Sequence, residues 1–153
     1  MLTPLLPVLH RPQSQQADCL AAFAAMILDY LQVPFNDARL RKLLRIRHYG
    51  AFFSDIENLT VLGVAVSVDE GDIDTLQREL DVGLPVIAAV NTGFLQAYWN
   101  EALGHAVVVV GIEDEIVYIN DPALATAPQA IDLNEFFAAW GEKDFLYAVI
   151  SLE

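Results

Sequence analysis

Between residues 19 and 31 the chain places Leu20, Phe23, Ala24, Ile27, Leu28 and Leu31 at the spacing of one helical face. The run is rich in Ala, holds no Gly or Pro, and leaves little of its circumference polar. It predicts a central, mostly buried helix, with Asp18 as its N-cap. Upstream, Pro4, Pro7 and Pro12 restrict the stretch through Gln16 to extended and turn geometry. Beyond Pro34, Asn36 or Asp37 can cap a second helix running to about Leu44. Ser54 can cap a short third helix carrying Ile56 and Leu59, with Gly63 as its stop.

The pattern then changes period. Val64–Val68 reads as a strand, Asp72–Leu80 as a helix with Ile73, Leu76 and Leu80 inward, and Leu84–Val90 as a strand that tolerates Pro85 near its start. Residues 91–103 read as a loop or broken helix carrying Phe94, Tyr98 and Trp99, which either wall an apolar groove or cover the sheet. Ala106–Ile112 is the strongest strand, and Glu113–Glu115 turns it into Ile116–Ile119 as a hairpin. Asn120-Asp121-Pro122 ends that hairpin, and a polar loop follows to Gln129. Leu133–Trp140 is a helix stopped by Gly141, and Phe145–Ile150 closes the sheet. Helices come first, then an antiparallel-leaning sheet with one late helix, which is an α+β plan. Neither a repeat nor an interdomain linker shows, so residues 1–153 are expected to form a single domain.

Composition narrows the function. Apolar residues are 55% of the chain, which excludes compositional disorder. A formal net charge of -13 argues against a nucleic-acid footprint and a polybasic membrane binder, and it adds an expectation of basic substrates. Arg39, Arg41, Lys42, Arg45 and Arg47 concentrate the basic charge, as a solvated helix face or a phosphate or partner contact. No apolar run is long enough to span a membrane, and the opening residues lack a basic n-region, so a cytoplasmic chain is expected. A single Cys excludes an internal disulfide and a cysteine-rich zinc site.

That Cys19 falls in the first turn of the strong helix, where unpaired N–H groups and the helix dipole favour a thiolate. It is either a nucleophile or a packed thiol. His10 and His48 read as surface residues, whereas His105 follows Gly104 at the mouth of the Val-rich strand. Asp121 ends the next strand, so the hairpin would bring it to the same end of the sheet as His105. There it can orient the imidazole or cap the Asn-Asp-Pro turn. Gln13 lies in the extended approach to the helix. Its side-chain N–H groups could join the Cys19 backbone N–H as oxyanion donors, with Gln15 and Gln16 as rivals.

A helix-start Cys, a later strand-start His and an Asp closing the next strand follow the papain-like order. The chain resembles the bacteriocin-processing cysteine peptidases, the papain-like domain that cleaves leader peptides after a double glycine, and their stand-alone relatives. The matching stretches are Gln13-Ser-Gln-Gln-Ala-Asp-Cys19 with the helix after it, Gly104-His-Ala-Val-Val-Val-Val-Gly-Ile112, Ile119-Asn-Asp-Pro-Ala123 and Leu133-Asn-Glu-Phe-Phe-Ala-Ala-Trp140. Together they span about residues 7–150. The resemblance implies Cys19 as nucleophile, His105 as base and then acid, Asp121 as orienting carboxylate and Gln13 as oxyanion donor. It implies a thioester intermediate, a peptide or protein substrate with small residues before the scissile bond, and no metal or organic cofactor. The family usually has Gly directly after the nucleophile, and Leu20 stands there in this chain. A catalytically inactive peptide-binding module, an acyl or amide transferase using the same thiol, and a structural protein with an inert Cys19 are the competing readings.

Overall fold

The computed structural model describes residues 5–12, 19–47, 52–95 and 103–152. Helix α1 spans Cys19–Tyr30 and buries Leu20 and every residue from Ala22 to Leu28. An all-round apolar helix has no solvent face, so the chain packs it centrally. It ends in a Schellman turn. Gln32 adopts φ 60, its N–H donates to the Asp29 carbonyl at 3.0 Å, and the Val33 N–H donates to Leu28 at 2.9 Å. The proposed Asp18 cap lies outside the described residues.

Helix α2, Asp37–Leu43, is capped by Asn36. The third helical segment, Phe53–Leu62, is a 3₁₀ helix that begins at Phe53 without a side-chain cap. Ser54 is therefore not its N-cap. The rest comprises β1 (Val64–Glu70), α3 (Ile73–Asp81), β2 (Val86–Asn91), a 3₁₀ turn (Thr92–Phe94), β3 (Gly104–Glu113), β4 (Ile116–Asn120), β5 (Gln129–Asp132), α4 (Leu133–Gly141) and β6 (Leu146–Leu152). Asp72 caps α3 in a reciprocal capping box with Thr75.

The six strands form one antiparallel sheet in the order β1-β6-β2-β3-β4-β5. Helices cover both faces. On one side α1, α2 and the 3₁₀ segment meet Ile87, Ala106, Val108, Val110, Ala148 and Ile150. On the other, α3 and α4 meet Val86, Ala88, Val90, Val107 and Val109. The period of two along β3 sorts its valines between the layers, and burial on both faces explains its unbroken apolar run.

Three features of the sheet differ from the sequence expectation. The last strand does not close the sheet at a margin but inserts between β1 and β2. Pairing on both sides is what buries Tyr147 through Ile150. Residues 129–132 are an edge strand against β4, whereas the sequence reads only as a polar loop to Gln129 before the helix from Leu133. Its alternation is short and polar, which suits an edge, and its last residue, Asp132, caps α4. Pro85 lies just before β2, which starts at Val86. Gly141 also does not stop α4 but sits in its last turn. A Cβ there would meet the Phe145 ring at 3.0 Å, so packing explains the glycine.

The β3–β4 hairpin turns at Asp114 and Glu115, with φ 50 and 66. Two consecutive left-handed residues are the type I′ signature, which favours Gly at the second position. Replacing Glu115 by Gly keeps the Leu133 N–H bond to its carbonyl. That variant is expected to gain about 0.5–1 kcal/mol, read as a higher urea midpoint at unchanged slope.

Candidate active site

Two strand ends and one helix start converge at the site. β3 begins at Gly104 and β4 ends at Asn120, with Val108 opposite Asn120. This register carries His105 and Asp121 to the same end of the sheet, as the hairpin predicted. His105 Nε2–H donates to Asp121 Oδ1 at 2.7 Å. The side chains are 5% and 0% exposed, so the pair is removed from water. The same oxygen accepts the Ala123 N–H at 3.0 Å. Both roles considered for Asp121 therefore hold together: the turn pins the carboxylate, and the carboxylate pins the ring.

Cys19 opens α1 and is partly exposed. It lines one cleft with His105, and its thiol contributes to raising the imidazole pKa. Because Nε2 is committed to Asp121, Nδ1 is the nitrogen left for the thiol. Phe23, one helical turn beyond Cys19, packs edge-on to the imidazole with centroids 6.2 Å apart. It shares a helix face with Cys19 at i, i+4 spacing, a signal available in the sequence but read there only as core. Burial alone lowers the imidazole pKa. Hydrogen bonds to Asp121 and Cys19, with their negative charges, outweigh burial and raise it to about 9.

The N-terminal strap runs along the β3–β4 hairpin, from Gly111 to the end of β4 at Asn120. The β3–β4 register shifts between Val109 and Gly111, freeing the Val110 carbonyl to accept the Leu6 N–H at 3.0 Å. Gly111 makes room, since a Cβ there would collide with the Leu5 side chain. Asn120, buried beside Asp121, donates to the Val8 carbonyl at 3.1 Å. His10 is not a free surface residue: its Nε2–H donates to the Leu124 carbonyl at 2.7 Å. Gln13, Gln15, Gln16, His48, Tyr98 and Trp99 lie outside the described residues, whereas Phe94 is exposed. Of the basic run, Arg47 is half-buried against Asp55 and over the Phe52 ring.

A cleft of about 550 Å³ opens along Cys19 and His105. Ala89, Ala106 and Leu146 line it from the sheet, and Leu20 and Phe53 from the helical layer. Leu20 is almost wholly buried in the α1 core, so the residue after the cysteine contributes only an edge to the cleft. The remaining wall is the turn Glu142-Lys143-Asp144. Asp144 and Phe145 both have left-handed backbones, φ 59 and 57. That is strained for a bulky residue such as Phe145 and is sustained by packing. The Phe145 ring contacts Phe137 and stands at 90° to Trp140, while Trp140 Nε1–H donates to the Leu146 carbonyl at 2.9 Å. Among the described residues, no three His, Cys, Asp or Glu side chains converge as a metal site. None of the described helices is long and apolar enough to cross a membrane.

Residues 9–148 match the peptidase C39 family. The chain belongs to that family. It is accordingly a cysteine peptidase, and its helices on an antiparallel sheet are the C39 papain-like fold. The peptidase domain of Streptococcus ComA, a bifunctional ABC transporter involved in quorum sensing, superposes with a TM-score of 0.77 at 20% identity, covering 95% of this chain and 99% of that one. A C39-like peptidase from Bacillus anthracis gives 0.81 at 17% identity, covering 100% and 98%. A double-glycine-motif protease from an AMS/PCAT transporter, solved with its leader peptide, gives 0.78 at 20% identity, covering 97% and 94%. No curated protein matches the chain significantly.

The raised imidazole pKa has a definite consequence for stability. The folded value lies above the ordinary 6.5, so the protonated pair stabilises the fold fully below about 6.5 and loses that contribution as pH rises through about 9. In Asp121→Ala the buried imidazolium loses its carboxylate, which is expected to cost about 3–5 kcal/mol at neutral pH. Urea titrations at pH 7 and pH 10 should show the gap between the two proteins narrowing at the higher pH. The His105 imidazole resonances of the wild type should titrate near 9.

Proposed function

We propose that this C39 peptidase cleaves peptide bonds through Cys19, His105 and Asp121. The observation that carries the reading is the buried 2.7 Å bond from His105 Nε2 to Asp121, with Cys19 lining the same cleft as His105. Asp121 fixes the ring so that Nδ1 faces the thiol and holds the imidazolium that forms when the thiol gives up its proton. The thiolate attacks the amide carbonyl, His105 returns the proton to the leaving amine, and a thioester remains. Water, deprotonated by the same imidazole, then hydrolyses it. The Cys19 backbone N–H and the Gln13 side chain stabilise the oxyanion, with Gln15 and Gln16 the alternative donors. The substrate is a peptide or protein segment lying extended in the cleft, with small residues before the scissile bond.

Alkylation of Cys19 by iodoacetamide tests the pair directly. Wild type is expected to label fast below pH 7, and His105→Ala much more slowly, with a midpoint near the free-thiol value of about 8.5. Equal, slow labelling of both would remove the preformed nucleophile. Gln13→Ala separates the oxyanion role from thiol activation. It is expected to lower kcat by about 10²–10³ while leaving the alkylation rate of Cys19 unchanged, whereas equivalent losses in Gln15→Ala or Gln16→Ala would reassign the donor.

A further inference from the structure

The turn after α4 places charge in the cleft with a definite polarity. Lys143 is half-buried, and the exposed Glu142 and Asp144 flank it. Its ammonium lies over Gly104: a Cβ on that residue would come within 3.0 Å of Lys143 Nζ and 3.5 Å of Cε. Only glycine leaves this space at full width, and Gly104 directly precedes His105. The turn thus directs its cation across the strand end that carries the imidazole, with its two more exposed carboxylates farther out on the same wall of the cleft.

The other cation of the cleft, His105, is committed to Asp121 and Cys19. Among the described residues no carboxylate forms an ion pair with Lys143. Its backbone is held in place: the Lys143 N–H donates to the Trp140 carbonyl at 2.9 Å, and its carbonyl accepts from Leu146 at 3.1 Å. A cation on a braced turn, lining the same cleft as Cys19 and His105 and without an ion pair among the described residues, is arranged to receive an external anion.

We propose that Lys143 is a specificity-determining residue that binds a carboxylate of the peptide substrate near the scissile bond. The inference rests on the peptidase reading of Cys19 and His105 and deepens it by naming a substrate class, peptides with an acidic side chain in the cleft. The net charge of -13 favours basic peptides at long range. Within the cleft the nearest charge decides, because solvent screens the distant ones.

Iodoacetate and iodoacetamide provide a pair of probes of similar shape that differ by one carboxylate, and both report at Cys19 whether or not a peptide is turned over. The ratio of their alkylation rates should fall about fivefold in Lys143→Met, the scale of a partly exposed ion pair. It should fall further in Lys143→Glu and be retained in Lys143→Arg. In peptides that differ only by Glu, Gln or Lys at each position flanking the cleaved bond, one position should favour Glu in kcat/KM, and Lys143→Met should abolish that preference. An unchanged reagent ratio in Lys143→Met, or a preference for Lys over Gln at every position, would overturn the proposal. Slow labelling insensitive to His105→Ala would instead overturn the peptidase reading, because the ratio is measurable at any absolute rate.

Discussion

The buried bond between His105 and Asp121 is the constraint on which the site's architecture depends. An imidazolium and a carboxylate removed from water are expensive unless each satisfies the other. Here the partners hydrogen-bond at 2.7 Å, and the carboxylate oxygen also accepts a backbone N–H. That arrangement requires a fixed register between β3 and β4, a closed turn after β4, and α1 set against the end of the sheet. The pairing of Val108 with Asn120 and Val109 with Ile119 is that register. The Asn-Asp-Pro turn supplies the second.

Secondary contacts hold the helical layer to the same point. Asn120 joins the end of β4 to the N-terminal strap through the Val8 carbonyl and lies against Met26 of α1. The bulge in β3 turns the Val110 carbonyl outward to receive Leu6. These contacts tie the described strap, residues 5–12, to the end of β4 and to α1. On the opposite side, the strained residues after α4 are held by the Phe137, Trp140 and Phe145 rings, and the braced turn becomes a wall of the cleft. Core packing on one face of the sheet thus shapes a wall of the cleft that Cys19 and His105 line.

Much of this was legible along the chain. The helix after Asp18, the hairpin and the papain-like order of Cys19, His105 and Asp121 all follow from local periodicity and turn chemistry. The 129–132 strand was not legible, because an edge strand of four residues carries little hydrophobic pattern. Gly141 looked like a helix stop because a terminal glycine has the same local appearance whether it ends a helix or makes room for a neighbouring ring. His10 looked solvated because its partner, Leu124, lies far away in sequence.

The amino-acid sequence by itself determined the elements and the types of reactive group they carry, since helix caps, period and turn residues act over a few neighbours. Only the tertiary structure decided that β6 lies inside the sheet, that one oxygen of Asp121 serves both ring and turn, and that Lys143 rests across Gly104. Those facts depend on contacts between distant segments, whose energies come from burial and matched geometry rather than from local preference. A lysine in a polar turn is unremarkable in sequence, and it acquires chemical meaning only when packing sets its ammonium over Gly104 in the cleft that Cys19 and His105 line.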